Sequence, residues 1–162
     1  MNRLYILFAC TLPIIISCQQ KVDMNSEVTH VKEVIDQFYH LYETQDMELL
    51  NNLIVSDADM VNFGTDAVEH WVGLAPLKEA FQRQWAEFEE PEIILNDLMI
   101  KISESGTVAW YSLFINLRVK FKGEIIEWKG ARSTGVLEKR KGKWFIVQFH
   151  NSMPQLERAA KY

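Results

Sequence analysis

The hydrophobic period of this chain changes once, at Pro91. Before it, apolar residues recur at three- and four-residue spacings: Val31, Val34, Ile35, Phe38, Leu41 and Tyr42, then Leu49, Leu50, Leu53 and Ile54, then Leu77, Phe81, Trp85 and Phe88. After it they alternate through Ile94 to Ser103, Thr107 to Phe121, Glu124 to Lys139 and Lys143 to Ser152. The first spacing lines up side chains on one face of a helix and the second on one face of a strand. Helices first and a long antiparallel meander second is an α+β arrangement.

Local signals place the joints. The first helix is expected from Glu27, with Asn25 or Ser26 as its cap, and Asp46 is placed to cap a second, short helix. Ser56-Asp57-Ala58-Asp59 is turn chemistry, followed by a short strand, Met60 to Phe63. A Gly64-Thr65-Asp66 turn and a brief extended piece, His70-Trp71-Val72-Gly73, lead into a third helix. Pro76 suits its first turn and Glu89-Glu90-Pro91 stops it. Ser105-Gly106, Lys122-Gly123 and Lys141-Gly142 separate the strands. Along the second long strand, Ala109, Tyr111, Leu113, Ile115, Leu117 and Val119 form a core face. Trp110, Ser112, Phe114, Asn116 and Arg118 form the other, whose mixture of aromatic and polar groups fits a homodimer contact. The sheet is therefore expected to curl around the helices on one side and meet a second copy on the other.

With 162 residues, 48% of them apolar, the chain has material for one sizeable core and not two. A formal charge of -5 without Lys/Arg runs argues against a nucleic-acid surface. The cysteines are Cys10 and Cys18 alone, so no disulfide staples the folded part. His30, His40, His70 and His150 show no ligand spacing, and neither a metal nor a cofactor is expected.

Arg3 followed by the apolar run Leu4 to Ile16 is too short to span a membrane as a helix and has the form of an export signal. It ends in Ile15-Ile16-Ser17-Cys18, which resembles the lipobox of bacterial lipoproteins. That resemblance implies cleavage before Cys18, lipidation of its thiol and a stable membrane anchor. Gln19, rather than Asp, implies the outer membrane of a cell envelope. The expected organisation is a signal peptide over 1–17, a lipidated cysteine with a mobile tether over 18–26, a domain over 27–154 and a tail over 155–162.

Phe63-Gly64-Thr65-Asp66, Glu69-His70-Trp71-Val72-Gly73, Val108-Ala109-Trp110, Arg132-Ser133-Thr134-Gly135-Val136 and the closing Gly142-Lys143-Trp144 strand with its His150-x-Ser152 ending carry a family likeness. They resemble the SnoaL-like branch of the nuclear transport factor 2-like superfamily, and the closing part resembles the calcium/calmodulin-dependent kinase association domain. The likeness implies a cone-shaped α+β barrel, usually dimeric, with a pocket between the curved sheet and three helices. In the kinase domain basic residues stand where this chain has Asn151 and Gly135. Parity then makes Phe145, Val147, Phe149 and Asn151 the pocket-facing set, and puts Trp144, Gln148, His150 and Ser152 on the other face.

Trp71, Trp85, Tyr111, Arg132, Phe149 and Asn151 are the candidate ligand-pocket residues. The aromatics supply apolar wall, and the Arg132 guanidinium suits a carboxylate of a ligand, of a partner chain, or of a cross-strand acid such as Glu138 or Glu127. A superfamily isomerase or hydratase would use a buried carboxylate or a His-Asp pair, for which Asp59 and His70 are the weak candidates beside Asp66 and Glu69. His150 and Ser152 lack the acid, elbow glycine and oxyanion donors of a nucleophile site. The expected function is a membrane-anchored domain binding a small, partly apolar ligand, with no catalytic set identified. The alternatives are a general acid/base isomerase or hydratase in the same pocket, and a dimerisation or assembly module.

Overall fold

Capping sets where the chain becomes regular. The computed structural model describes residues 22–155. Cys18, the apolar run before it and nearly all of the expected tail lie outside these residues. The Asp23 carboxylate accepts from the N–H groups of Asn25 (3.1 Å) and Ser26 (3.4 Å), so helix α1 spans Met24–Thr44. Asp, Asn and Ser are comparable caps, and Asp23 takes the place expected of Asn25 or Ser26. The helix thus begins inside the segment expected to be tether. Helix α2 (Met47–Leu53) has the expected cap, Asp46, which accepts from Glu48 and Leu49.

Strands β1 (Val61–Phe63) and β2 (His70–Val72) pair antiparallel and precede helix α3 (Leu74–Glu87). The long strands are β3 (Phe88–Ile102), β4 (Val108–Phe121), β5 (Glu124–Arg140) and β6 (Lys143–Ser152). Together they make one six-stranded mixed sheet in the order β2-β1-β6-β5-β4-β3, with β1 parallel to β6. Pro91 does not end the third helix; that helix stops at Glu87, and Phe88, expected on its face, already pairs with Phe121. Pro91 sits within β3, on the sheet's edge and at a register shift between Glu89 and Glu92, where a missing N–H costs no ladder bond.

The sheet is curved because each long strand pair carries a bulge. Shifts lie at Glu89/Glu92 and Asn96/Met99 between β3 and β4, at Ile115/Leu117 between β4 and β5, and at Val136/Leu137 between β5 and β6. Each extra residue bends its strand and increases the local twist. At the β4–β5 bulge the Asn116 side chain accepts the Gly130 N–H at 2.9 Å, replacing the interrupted ladder. The Lys122-Gly123 and Lys141-Gly142 turns have positive φ at both residues, the two-residue hairpin geometry expected from their sequence.

The bent sheet closes on α1. Val31, Ile35, Phe38 and Leu41 are 0–1% exposed, and the Phe38 ring meets those of Phe81 at 6.0 Å and Phe149 at 5.1 Å. Burial of such side chains contributes roughly 1.5–3 kcal/mol each. The expected core face of β4 is buried, whereas Trp110 and Phe114 stand 48% and 43% exposed on the convex face. Tyr39 brings its hydroxyl to Ser133, and to Tyr111 at 3.3 Å, a polar knot within the apolar core. Burial pushes both phenols' pKa up, so they stay neutral. No helix among the described residues is long and apolar enough to cross a membrane.

One charged group fastens the start of α1 to the sheet. Glu27, 8% exposed, accepts from Lys139 Nζ at 2.6 Å and from the Trp144 indole N–H at 2.7 Å. The Lys139 hydrogen bond is the main cause holding the Glu27 carboxyl below its ordinary 4.5, against burial, which raises it. A carboxyl with a lowered folded pKa contributes stability that is complete above the unfolded value and is lost as pH falls through the folded one. Glu27→Gln is therefore expected to remove part of the stability that wild type loses as pH falls below the ordinary carboxylate range. Its cost at pH 7 is on the order of 2 kcal/mol, read by urea unfolding at several pH values. Equal pH dependence in the two proteins would assign that loss to other groups.

Candidate functional site

Several elements together build a small cavity. The last turns of α1 bring Tyr42; the loop after β1 brings Gly64, Thr65 and Glu69; and β2 brings Trp71. Helix α3 adds Leu77, Ala80, Phe81 and Gln84, while Trp128 comes from β5 and Phe149 and Asn151 from β6. The enclosed space is about 30 Å³. A water needs about 10–15 Å³ by this measure, so there is room for one or two waters or a group of that size. Wider depressions lie on the surface, including one of about 500 Å³ beside Asn51 and Phe145. Its Arg140 is committed to Asp57 and Glu138, and the groove is open to solvent.

Among the described residues, Glu69 is the only acid of the cavity wall. Its Oε2 accepts from the N–H groups of Thr65 (2.6 Å) and Asp66 (3.0 Å), and from the Thr65 hydroxyl at 3.4 Å. Its Oε1 accepts only from Gln84 Nε2 at 3.3 Å, leaving accepting capacity free. The loop can fold this tightly because residue 64 is Gly: a Cβ there would stand 2.1 Å from Glu69 Oε2 and 2.7 Å from Glu69 Cβ. Burial, and then the charge of Glu69, push the Tyr42 hydroxyl's pKa well above its ordinary value, so it too remains neutral.

Asn151 supplies the second polar feature. Its Oδ1 is fully buried with no hydrogen-bond partner among the described residues, as are Asn62 Nδ2 and Trp85 Nε1. Nearby, the fully buried Asn62 accepts the Phe149 N–H through Oδ1 at 2.9 Å, extending the short β1–β6 pairing with a side chain. Asn62 therefore serves the fold, whereas Asn151 lines the cavity.

Of the expected pocket residues, Trp71, Phe149 and Asn151 are brought together here. Trp85 is not in the wall; it packs into the core against Phe81 at 5.5 Å. Tyr111 is likewise core, with its ring crossing Gly135, where a Cβ would lie 2.5 Å from Tyr111 Cε1. Arg132 points away: Ala131 and Ser133 face inward, so the guanidinium lies on the convex face across from Phe114 and Ser152. Its suggested acids are used by others, Glu127 by Lys129 and Glu138 by Arg140. Asp59 is an exposed turn residue, and His70 is exposed, stacked on Phe63 at 5.0 Å outside the cavity. Neither weak catalytic candidate reaches the site.

The parity expected along β6 fails at its bulge. Leu137 pairs with Ile146 but Val136 pairs with Gln148, so Val147 is extra and the faces exchange there. Trp144 and Ile146 point inward before it, Phe149 and Asn151 after it, and Phe145 and Val147 do not line the cavity. Tyr42, Gln84 and Trp128 are wall residues that the sequence pattern does not single out, and Glu69 stood only among several acids. Among the described residues no cluster of His, Cys, Asp and Glu could hold a metal ion.

The sequence profile of the SnoaL-like domain matches residues 31–155, from the second turn of α1 to just past the end of β6. The chain belongs to the SnoaL-like domain family. Solved structures place this SnoaL-like domain in the nuclear transport factor 2-like fold. It is similar to a nuclear transport factor 2-like superfamily protein from Salmonella enterica, with a TM-score of 0.75 and 17% identity over 86% of this chain and 99% of that one. A candidate dehydratase of that family from Streptomyces avermitilis gives 0.71 and 18% over 81% and 99%. A candidate calcium/calmodulin-dependent protein kinase II association domain from Xanthomonas campestris gives 0.66 and 21% over 78% and 87%. No curated protein matches the sequence.

Gly64→Ala tests the construction of the SnoaL-like domain's cavity. The added methyl displaces the Glu69 side chain and breaks its turn, with an expected loss on the order of 1–3 kcal/mol in chemical unfolding. Wild-type stability in this variant would show that Glu69 does not hold the loop.

Proposed function

We propose that this chain is a membrane-anchored SnoaL-like domain that binds a small, partly apolar ligand in the cone cavity. The observation that carries this reading is the cavity itself, walled largely by the rings of Tyr42, Trp71, Phe81, Trp128 and Phe149 with the polar side chains of Glu69, Gln84 and Asn151 among them. A mainly apolar cavity with a few polar groups is the usual form of a small-ligand site. An acid/base enzyme is less well supported. The one carboxylate in the wall has an oxygen filled by its own turn, and neither His70 nor Asp59 lines the cavity beside it.

The anchor would set the cavity's orientation. From Cys18 to Val22 is four residues, a reach of at most about 14 Å, so the start of α1 stays close to the membrane surface. Tyr42 lies about 27 Å further along the helix, at about 1.5 Å per residue. The cavity thus lies at the opposite end of α1 from the anchor. The convex face, with Ile94, Met99, Trp110 and Phe114 exposed, is the surface through which two copies would pair.

Three outcomes follow. Thermal-shift screening of the full chain against a broad library of small neutral, acidic and basic compounds is expected to find stabilising ligands, and silence throughout would count against binding. Cys18→Ser is expected to abolish lipid labelling in cells and release the chain from the membrane fraction; continued labelling and retention would refute the anchor. Trp110→Asp is expected to shift the light-scattering mass from dimer to monomer, whereas a wild-type monomer at micromolar concentration would remove the pairing face.

A further inference from the structure

The β5–β6 hairpin concentrates positive charge at one end of the domain, in the run Lys139-Arg140-Lys141-Gly142-Lys143. Lys139 is taken by Glu27, and Arg140 by Asp57 and Glu138, whereas Lys141 and Lys143 are exposed and form no ion pair among the described residues. Both lysines line the open groove of about 500 Å³. Its floor is apolar: Ile54 and Val55 are buried, with Phe145 half-buried beside them. The Val55 N–H donates to the Ile146 carbonyl at 3.2 Å and ties the two sides of the groove together. Among the described residues Asp57 is the only acid of this wall, and Arg140 cancels its charge through bonds of 2.8 and 2.6 Å, so the groove is positive. A bare inorganic anion would leave the apolar floor uncovered, and a neutral apolar compound would leave the lysines without a counter-charge. An anionic head carrying an apolar part uses both.

The hairpin is fastened at the end where the chain leaves for Cys18. Lys139, two residues before Lys141, bonds Glu27 in the first turn of α1 at 2.6 Å, and its N–H donates to the Thr107 carbonyl at 2.8 Å. Next to Thr107, Gly106 lies against Val22: a Cβ on Gly106 would stand 2.7 Å from Val22 Cγ1. Cys18 is four residues before Val22, so a lipid on its thiol would bring phospholipid headgroups to this end. With a formal charge of -5 the chain as a whole is not drawn to an anionic surface, and any such attraction has to be local. We propose that the groove holds the anionic head of a membrane phospholipid, its phosphate facing Lys141 and Lys143 and its glycerol and nearest methylenes covering Ile54, Val55 and Phe145. This rests on the reading of the chain as membrane-anchored and is independent of what the cone cavity holds.

Three probes separate the possibilities: dihexanoyl phosphatidylglycerol, dihexanoyl phosphatidylcholine and inorganic phosphate. They are titrated by calorimetry at pH 7 into the full chain in non-ionic detergent, with detergent-only titrations subtracted. The phosphatidylglycerol is expected to bind about tenfold more tightly than the phosphatidylcholine, and inorganic phosphate at least about tenfold more weakly than the phosphatidylglycerol. The double variant Lys141→Gln with Lys143→Gln, both at exposed positions, is expected to erase the preference between the two lipids. Lys101→Gln with Lys122→Gln removes the same charge from exposed positions outside the groove and is expected to keep it. Equal binding of the two lipids would overturn the proposal, as would an undiminished preference without Lys141 and Lys143 or an equal loss in the control variant. Inorganic phosphate binding as tightly as the phosphatidylglycerol would make the groove a free-anion site and overturn the lipid assignment. Lipid labelling at Cys18 is read separately: labelled chain with no lipid preference would overturn the groove and leave the anchor. Unlabelled chain in wild type would overturn the anchor and, with it, the membrane as the source of the ligand.

Discussion

The fold depends on one steric constraint: a long antiparallel sheet must bend far enough to wrap a single helix. A flat sheet would touch α1 along a line and leave most of both surfaces in water. The bulges between β3, β4, β5 and β6 supply the bend, and the fully buried stripe Val31, Ile35, Phe38 and Leu41 supplies what it bends around. Once the sheet is curved its strands splay at one end, and the short β1–β2 pair and α3 close that end. The cavity is the space these pieces leave. Its walls are therefore fixed by the same contacts that stabilise the domain, which is how a small site can be preorganised.

Polar groups inside this frame divide into two kinds. Glu27, with Lys139 and Trp144, and Asn62, with the Phe149 N–H, bind elements to one another. Tyr39, Ser133 and Tyr111 satisfy one another deep in the core. Glu69 and Asn151 differ because both line the cavity. The first group explains why the domain holds its shape, and the second what it can hold. The family and the similar solved structures fix the fold, while the ligand has to be read from these side chains.

Much of the architecture was legible in the sequence, because the change of period at Pro91 and the Lys-Gly turns are local signals with local causes. The three helices, the four long strands and the buried face of β4 follow from them. What was not legible depends on non-local choices. Pro91 could join β3 only because β3 is an edge strand, which no local pattern reveals. The inward set on β6 exchanged at Val147 because a bulge breaks parity without leaving a mark such as Gly. The same limitation decided the site. Phe149, Asn151 and Trp71 were found through the family likeness, but Arg132 was placed on the wrong face by likeness alone. Glu69, Tyr42, Gln84 and Trp128 meet only in three dimensions, from four separate elements.

The central claim is that the cone cavity is a ligand site. A crystal structure of the chain grown with a compound that raises its melting temperature tests it most directly. The compound is expected in the cavity, against the rings of Trp71 and Trp128. A cavity filled by collapsed side chains, or the compound bound elsewhere, would contradict it.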